Sequence, residues 1–214
     1  EDANTLTIEK VDSVRPTVEA AREAGRELAT IHALGADAFG APADGWEGPN
    51  FIGSRRQACE PTERWATFYV EQRVLPFAHK AAGAGNLGGG DVDVVERACD
   101  ALLAEDEDAP VARIHGDLWA GNLLFGPEGP RFIDPAAHGG HPLTDIAMLE
   151  LFGAPHFSAI VDGYLDAGGE LGADWQRRIA VHQLHPLAVH AWTHGPSYGQ
   201  ALVRAAEETL RVVG

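Results

Sequence analysis

In the stretch IHGDLWAGNLLF, residues 114–125, Asp117 precedes Asn122 by five positions between two short apolar runs, and another acid, Asp134, closes the next such run, RFID. Phosphoryl transfer from ATP asks a protein for little covalent chemistry. It asks for an aligned hydroxyl and for neutralisation of the phosphate charge by metal ions. In a loop entered from one strand and left by another, Asp117 can face an acceptor hydroxyl while Asn122 turns its amide oxygen to a metal, and Asp134 can add a carboxylate to that metal. Hard oxygen ligands of this kind suit Mg2+ better than zinc. Asp and Asn are also ordinary turn formers. The succession His-Gly-Asp, an Asn five residues on, a hairpin and then Ile-Asp-Pro favours the chemical reading over the turn reading.

The elements that must hold these residues are short strands set among helices. VARI, NLLF and RFID read as strands, and GPEGP joins the last two into a hairpin. At the start, TLTIEKV (residues 5–11) alternates loosely and reads as a strand with no local partner. In residues 17–34, Val18, Ala21, Ala24, Leu28 and Ile31 recur at helical spacing, with Gly35 at the C-cap position. A Gly/Pro/Ala-rich loop is expected over residues 35–61. A helix then covers TERWATFYVEQRVLPFAHKA, kinked or ended by Pro76, and Asp91 caps another that buries Val95, Ala98, Cys99 and Leu102. Past the hairpin the chain returns to helix in LTDIAMLELF, HFSAIVDGYLDA, WQRRIAVHQLHPLAVHAW (with a kink at Pro186) and YGQALVRAAEETLRVV. Residues 83–88 imitate GxGxxG, but they follow a helix where that fingerprint must follow a strand, so they read as a connection.

Composition narrows the partners. With 32 acidic against 16 basic side chains the formal net charge is -16, which disfavours nucleic acid and anionic membranes. No apolar run approaches the roughly 18 residues needed to span a bilayer, and no signal-peptide pattern opens the chain. Cys59 and Cys99 show no metal-ligand or framework spacing and read as free or buried thiols of a protein in a reducing cytoplasm. Ten histidines, with His182/His185 and His190/His194 at helical spacing, invite a zinc reading, but no HExxH accompanies them. They are expected to be polar or half-buried side chains of the last helices, with His190 facing an acceptor cleft. Trp65, Trp175 and Trp192 read as core.

HGDLWAGN (115–122), IDPAAHGGH (133–141) and DIAMLELFG (145–153), together with GPNFIGSRRQ, RWATFYVEQRVLP, QLHPLAVH and YGQAL, resemble the fructosamine (ketosamine) kinase family. That family sits with the aminoglycoside phosphotransferases in the protein-kinase-like superfamily. HGDxxxxN with a downstream IDP marks the superfamily; LW within it and AMLELFG narrow it to this family. The resemblance implies an α+β, protein-kinase-like fold. Residues 1–12 would be the last strand of the N-terminal lobe and the hinge, and residues 13–214 the helical C-terminal catalytic and acceptor-binding lobe with its small hairpin. The rest of the N-terminal lobe, with its phosphate-covering loop and lysine, would lie upstream of Thr5.

The resemblance further implies ATP and Mg2+ as cofactors and a small-molecule or protein-linked ketosamine as acceptor. Asp117 would be the catalytic base, and Asn122 and Asp134 the metal ligands. His115 would scaffold the catalytic loop, and Asp145 would hold its backbone. Glu9, Lys10 and Val11 would meet adenine. Trp119 would pack either on the acceptor's sugar or in the core, and His141 matches a family position near the acceptor. The chain departs from the family at Pro142 and Leu143 and around residues 55–59, so the acceptor's identity stays open. A kinase of an aminoglycoside, choline or homoserine-like acceptor, a catalytically dead pseudokinase and a zinc hydrolase are the rival readings.

Overall fold

The computed structural model describes residues 10–105 and 109–213, so most of the expected strand TLTIEKV, Glu9 included, lies outside the described residues. Helix α1 (Val18–Ala33) starts where the Thr17 hydroxyl accepts the Ala20 N–H at 3.1 Å, and it stops at Gly35, whose φ of +65° takes the chain out of helical geometry. Its buried stripe, Ala21, Ala24, Gly25, Leu28, Ala29 and His32, lies against α6 (Phe157–Asp166). The two helices approach unusually closely. A Cβ on Gly25 would fall 1.9 Å from the Ile160 carbonyl oxygen, and one on Gly163 would fall 1.9 Å from that of Arg22. Arg22 seals the crossing by pairing with Asp162 (3.2 Å) and Asp166 (3.0 Å).

The expected loop over residues 35–61 contains a hairpin instead, β1 (Asn50–Ile52) and β2 (Arg55–Gln57), with Asn50 opposite Gln57. Ile52 is buried, and Gly53, at φ +54°, turns the chain at its tip. Its base is fixed by Gln57 Nε2 donating to Asn50 Oδ1 (2.6 Å) and by the reciprocal bonds of Gln72 with the backbone of Glu60, both 2.8 Å.

The helix that follows is α2 (Trp65–Tyr69), one wide π turn (Val70–Val74) and α3 (Leu75–Gly83); Pro76 does not end it. Proline removes the N–H that would meet the Gln72 carbonyl, and the buried Arg73 guanidinium donates to that carbonyl instead (3.2 Å). Residues 83–88 connect α3 to α4 (Gly89–Ala104), where Asp91 accepts the Gly88 N–H at 3.1 Å and Val95, Ala98, Cys99 and Leu102 are buried.

Strand β3 (Ala112–Ile114) pairs antiparallel with β6 (His138–Gly140), a partner that sequence patterning does not reveal because HGG carries no strand signal. The second hairpin is β4 (Leu123–Gly126) with β5 (Gly129–Phe132), tighter than RFID and GPEGP suggest because Gly126 pairs with Gly129 across the turn Pro127–Glu128. Helices α5 (Leu143–Leu151), α7 (Trp175–His194) and α8 (Pro196–Val213) complete the fold. Helix α7 runs on through Pro186. The Tyr69 hydroxyl donates to the Val181 carbonyl (2.9 Å) and accepts the His185 N–H (3.1 Å), standing between two groups that an undisturbed helix joins directly.

Two apolar cores result. One joins α2, α3, α4, α7 and α8 around Phe68, Phe77, Leu102, Leu184 and Leu202. The other joins α1, α5 and α6 to Leu118, Leu123 and Phe125, so the segment that carries Asp117 is rooted in it. Among the described residues no helix is long and apolar enough to cross a membrane.

Candidate active site

The loop between β3 and β4 is held from below. Gly116 has φ +78°, and a Cβ there would lie 2.6 Å from the Ala136 carbonyl oxygen and 2.9 Å from the His138 ring, so the backbone turns where only glycine fits. Asp145, in the first turn of α5 and 0% exposed, accepts the N–H groups of His115 (2.7 Å) and Gly116 (2.9 Å). It also meets His32 Nε2 at 3.0 Å, and His32 Nδ1 meets the Tyr164 hydroxyl at 2.9 Å. Burial opposes the charge on Asp145, but His32 and the backbone donors outweigh it and hold the carboxyl below its usual range.

His115 ties the loop to the hairpin: Nδ1 accepts the Asp117 N–H (3.3 Å) and Nε2 donates to the Ile133 carbonyl (2.9 Å). Burial pushes its pKa down, which favours the neutral ring that this pair of bonds requires.

With Leu118 buried, Asp117 and Trp119 face outward. The Trp119 indole folds over Gly121, where a Cβ would lie 2.2 Å from the ring, and it stays 44% exposed, so it is not a core residue. Asn122 Nδ2 donates to the Asp117 carbonyl (2.8 Å), an orientation that leaves its Oδ1 as an available acceptor. The Ile133 N–H bonds the Asn122 carbonyl (3.0 Å) and brings Asp134 beside it; Asp134 is exposed and held at φ +51°, a conformation Asp tolerates better than most residues.

Two cavities meet at Asp117. The smaller, about 380 Å³, is lined by Asn122 and Asp134 and by Trp119. The larger, about 580 Å³, is lined by residues 52–55 at the tip of the β1–β2 hairpin, by Trp119 and Phe152, and by His190, His194 and Tyr198. Its aromatic wall is continuous: Trp119 meets Phe152 edge-on at 6.5 Å, Phe152 lies 4.8 Å from His190, and His190 is 4.9 Å from both His194 and Tyr198. The His190 Nδ1–H donates to the Pro186 carbonyl (2.8 Å). Burial, reinforced by the charges of Asp145 and Asp134, pushes the Asp117 carboxyl up to about 7.

Of the residues singled out in the sequence, Asp117, Asn122, Asp134 and Trp119 therefore converge, His115 and Asp145 lie beneath them, and His190 lines the larger cavity. Lys10 and Val11 lie apart, beside the tip of the β4–β5 hairpin with Gly126 and Glu128. His141 lies apart as well. It lines neither cavity: it is buried between Trp65 (5.3 Å) and His182 (4.6 Å), and its Nδ1 accepts the Leu143 N–H at 3.0 Å. The link from β6 to α5 turns it inward, and burial drives its pKa down to about 3.

His182 and His185 are buried in the same aromatic core, and no group of three or more His, Cys, Asp or Glu gathers as a metal site among the described residues. Sequence reasoning missed His32, although its place on the buried stripe of α1 was a signal. It also missed Tyr164 and the hairpin that carries Arg55, where Gly53-Ser54 between strand-like residues was the cue.

A buried acid clamping a strand-flanked loop beneath an Asp–Asn–Asp set defines, with the surrounding helices, the protein-kinase-like fold. A choline kinase from Cryptosporidium parvum, 10% identical, shares that fold with a TM-score of 0.55 over 96% of this chain and 70% of its own. Within this fold the chain belongs to the fructosamine kinase family, whose model matches residues 1–212. A Thermobifida fusca protein assigned as a fructosamine-3-kinase is 45% identical and matches 95% of this chain and 69% of its own, with a TM-score of 0.87. The "Probable ketoamine kinase YniA" of Escherichia coli is 33% identical over 189 residues, 88% of this chain, and the chain spans about 62% of that relative's length.

Proposed function

We propose that this chain is the catalytic and acceptor-binding part of an ATP- and Mg2+-dependent kinase that phosphorylates a hydroxyl of a ketosamine. In this reading residues 13–214 are its helical lobe, and residues 1–12 are the last strand of the N-terminal lobe and the hinge. The observation that carries the reading is the position of Asp117 at the junction of two cavities, one lined by oxygen donors and one by aromatic and polar side chains. The Asp117 carboxylate orients the acceptor hydroxyl and takes its proton as the hydroxyl oxygen bonds to the terminal phosphorus of ATP and the bond to the ADP oxygen breaks. Asn122 Oδ1 and the Asp134 carboxylate are hard oxygen donors that fit Mg2+, which when bound neutralises phosphate charge. His115 and Asp145 fix the loop, and Trp119 covers the sugar. The base of the nucleotide lies near Lys10 and Val11 at the tip of the β4–β5 hairpin, about 13 Å of strand away from Asn122; Glu9, expected beside them, lies outside the described residues.

The T. fusca and E. coli names support a ketosamine as acceptor, and the cavity of about 580 Å³ beside Asp117 is of a size that suits a small molecule. The test is transfer of labelled phosphate from ATP, with Mg2+, to ribuloselysine and fructoselysine by the full-length gene product, with Asp117→Asn as control. Transfer that disappears in the variant supports the reading. Tight ATP binding with no transfer to either compound redirects the search to other acceptors, and absence of ATP binding leaves a pseudokinase.

A further inference from the structure

The larger cavity carries a charge that the transfer chemistry does not use. Arg55, at the tip of the β1–β2 hairpin, lines it, and its guanidinium lies 4.9 Å from the centre of the Trp192 ring. The Lys80 ammonium lies 4.9 Å from the same ring and 4.7 Å from that of Phe77. Both cations are exposed, and neither has a carboxylate partner among the described residues, although the chain carries twice as many acidic as basic side chains. Each gains a modest cation–π attraction from the indole, but two like charges no more than about 10 Å apart repel one another within reach of one Debye length. In an acidic protein, a cation lining a cavity and a second cation within about 10 Å of it, neither with a carboxylate partner among the described residues, form a local positive field suited to an anion.

Resting on the kinase reading above, we infer that Arg55, supported by Lys80, binds a carboxylate on the amine component of the acceptor. The substrate class is then a low-molecular-weight ketosamine of an amino acid that keeps its free carboxylate, rather than a lysine side chain within a protein. The hairpin suits this role because its tip faces the cavity while its base is fixed through Asn50, Gln57 and Gln72. Arginine matches a carboxylate with two parallel donors, and an indole behind it limits its rotamers.

The test uses matched pairs of ketosamines that differ only in the carboxylate, those of glycine and glycinamide and those of Nα-acetyl-lysine and its amide. For each compound, kcat/KM and the dissociation constant are measured with the full-length protein, the latter by calorimetry without ATP. In at least one pair the carboxylate compound should bind about tenfold more tightly than its amide, equivalent to about 1.4 kcal/mol. That ratio should fall towards one in Arg55→Gln, fall in part in Lys80→Gln, and survive in part in Arg55→Lys. Equal binding of acid and amide in both pairs, or a preference that Arg55→Gln leaves untouched, overturns the inference. Calorimetry separates the two readings: a carboxylate preference dependent on Arg55 but without phosphate transfer sinks the kinase assignment alone, and transfer without the preference sinks only the anion site.

Discussion

Replacing Asp117 with Asn should make the protein more stable at neutral pH while removing its turnover. The folded state holds the Asp117 carboxyl at about 7 against an ordinary value of 3.8, with burial as the main cause and Asp145 and Asp134 adding to it. A displacement of that size corresponds to about 4 kcal/mol as a ceiling. The side chain is only half-buried, so solvent screening reduces the expected effect to about 1–2 kcal/mol.

The sign follows from proton uptake. Between 3.8 and about 7 the folded state holds a proton that the unfolded chain releases, so the wild-type protein loses stability as pH rises through that window. The loss is absent below the lower value and complete above the upper one. Asn carries no such charge, so the variant's advantage should be near zero at pH 4 and complete at pH 8. There it should raise Tm by about 2–8 °C for a chain of this length. Calorimetric or circular-dichroism melts across that range, with chelator present to exclude bound cations, measure it. An advantage of the same size at every pH, or a variant less stable at pH 8, would refute the electrostatic account. The same carboxyl, acting as base, should give kcat/KM a rising limb near pH 7 at low Mg2+, and the variant should lose about 10²–10⁴-fold in turnover.

Gly163→Ala should lower Tm by about 2–12 °C, because its methyl would press on the backbone carbonyl of Arg22, and overpacking of this kind costs about 1–3 kcal/mol. Gly90→Ala, in the first turn of α4 with open space around it, is the control and should be neutral or slightly stabilising; equal effects at the two positions would discredit the close approach of α1 and α6. Asp134→Asn should raise the Mg2+ concentration for half-maximal activity at least about tenfold while leaving metal-free melting nearly unchanged, since Asn also accepts a left-handed backbone. An unaltered Mg2+ dependence would remove Asp134 from the ligand set.

The helices were legible because their apolar residues recur at a period the backbone enforces. Val95, Ala98, Cys99 and Leu102 are buried together as their spacing requires. The second hairpin was legible from its glycines and prolines, although its turn is tighter than they suggested. Strand β6 was not, because His138, Gly139 and Gly140 pair with β3 through close backbone contact rather than through β-branched side chains. A Cβ on Gly139 would fall 2.0 Å from the Ala38 carbonyl oxygen. Such a strand is specified by what it lacks, which periodicity cannot register. The direction of His141 was not legible for a related reason: motif position fixed its place along the chain, but which way it faces depends on how the link to α5 folds. Arg55 and His32 lie far in sequence from Asp117, and only the tertiary fold brings the elements that carry them to its loop.

Three acids converge beneath and beside this loop, and they are treated differently. Asp145 is fully enclosed and satisfied by His32 and by two backbone N–H groups, so its charge holds the loop in shape. Asp117 and Asp134 have no such shell, and Asp145 helps to raise the pKa of Asp117. The electrostatic strain therefore falls on Asp117, which lines both cavities, where an arriving cation relieves it. Asp134 adds backbone strain of its own at φ +51°. A sequence selected for stability alone would remove both features with neutral side chains and lose little packing, since neither side chain belongs to a core. Their presence at the junction of the two cavities is the physical argument that this loop exists to bind and react.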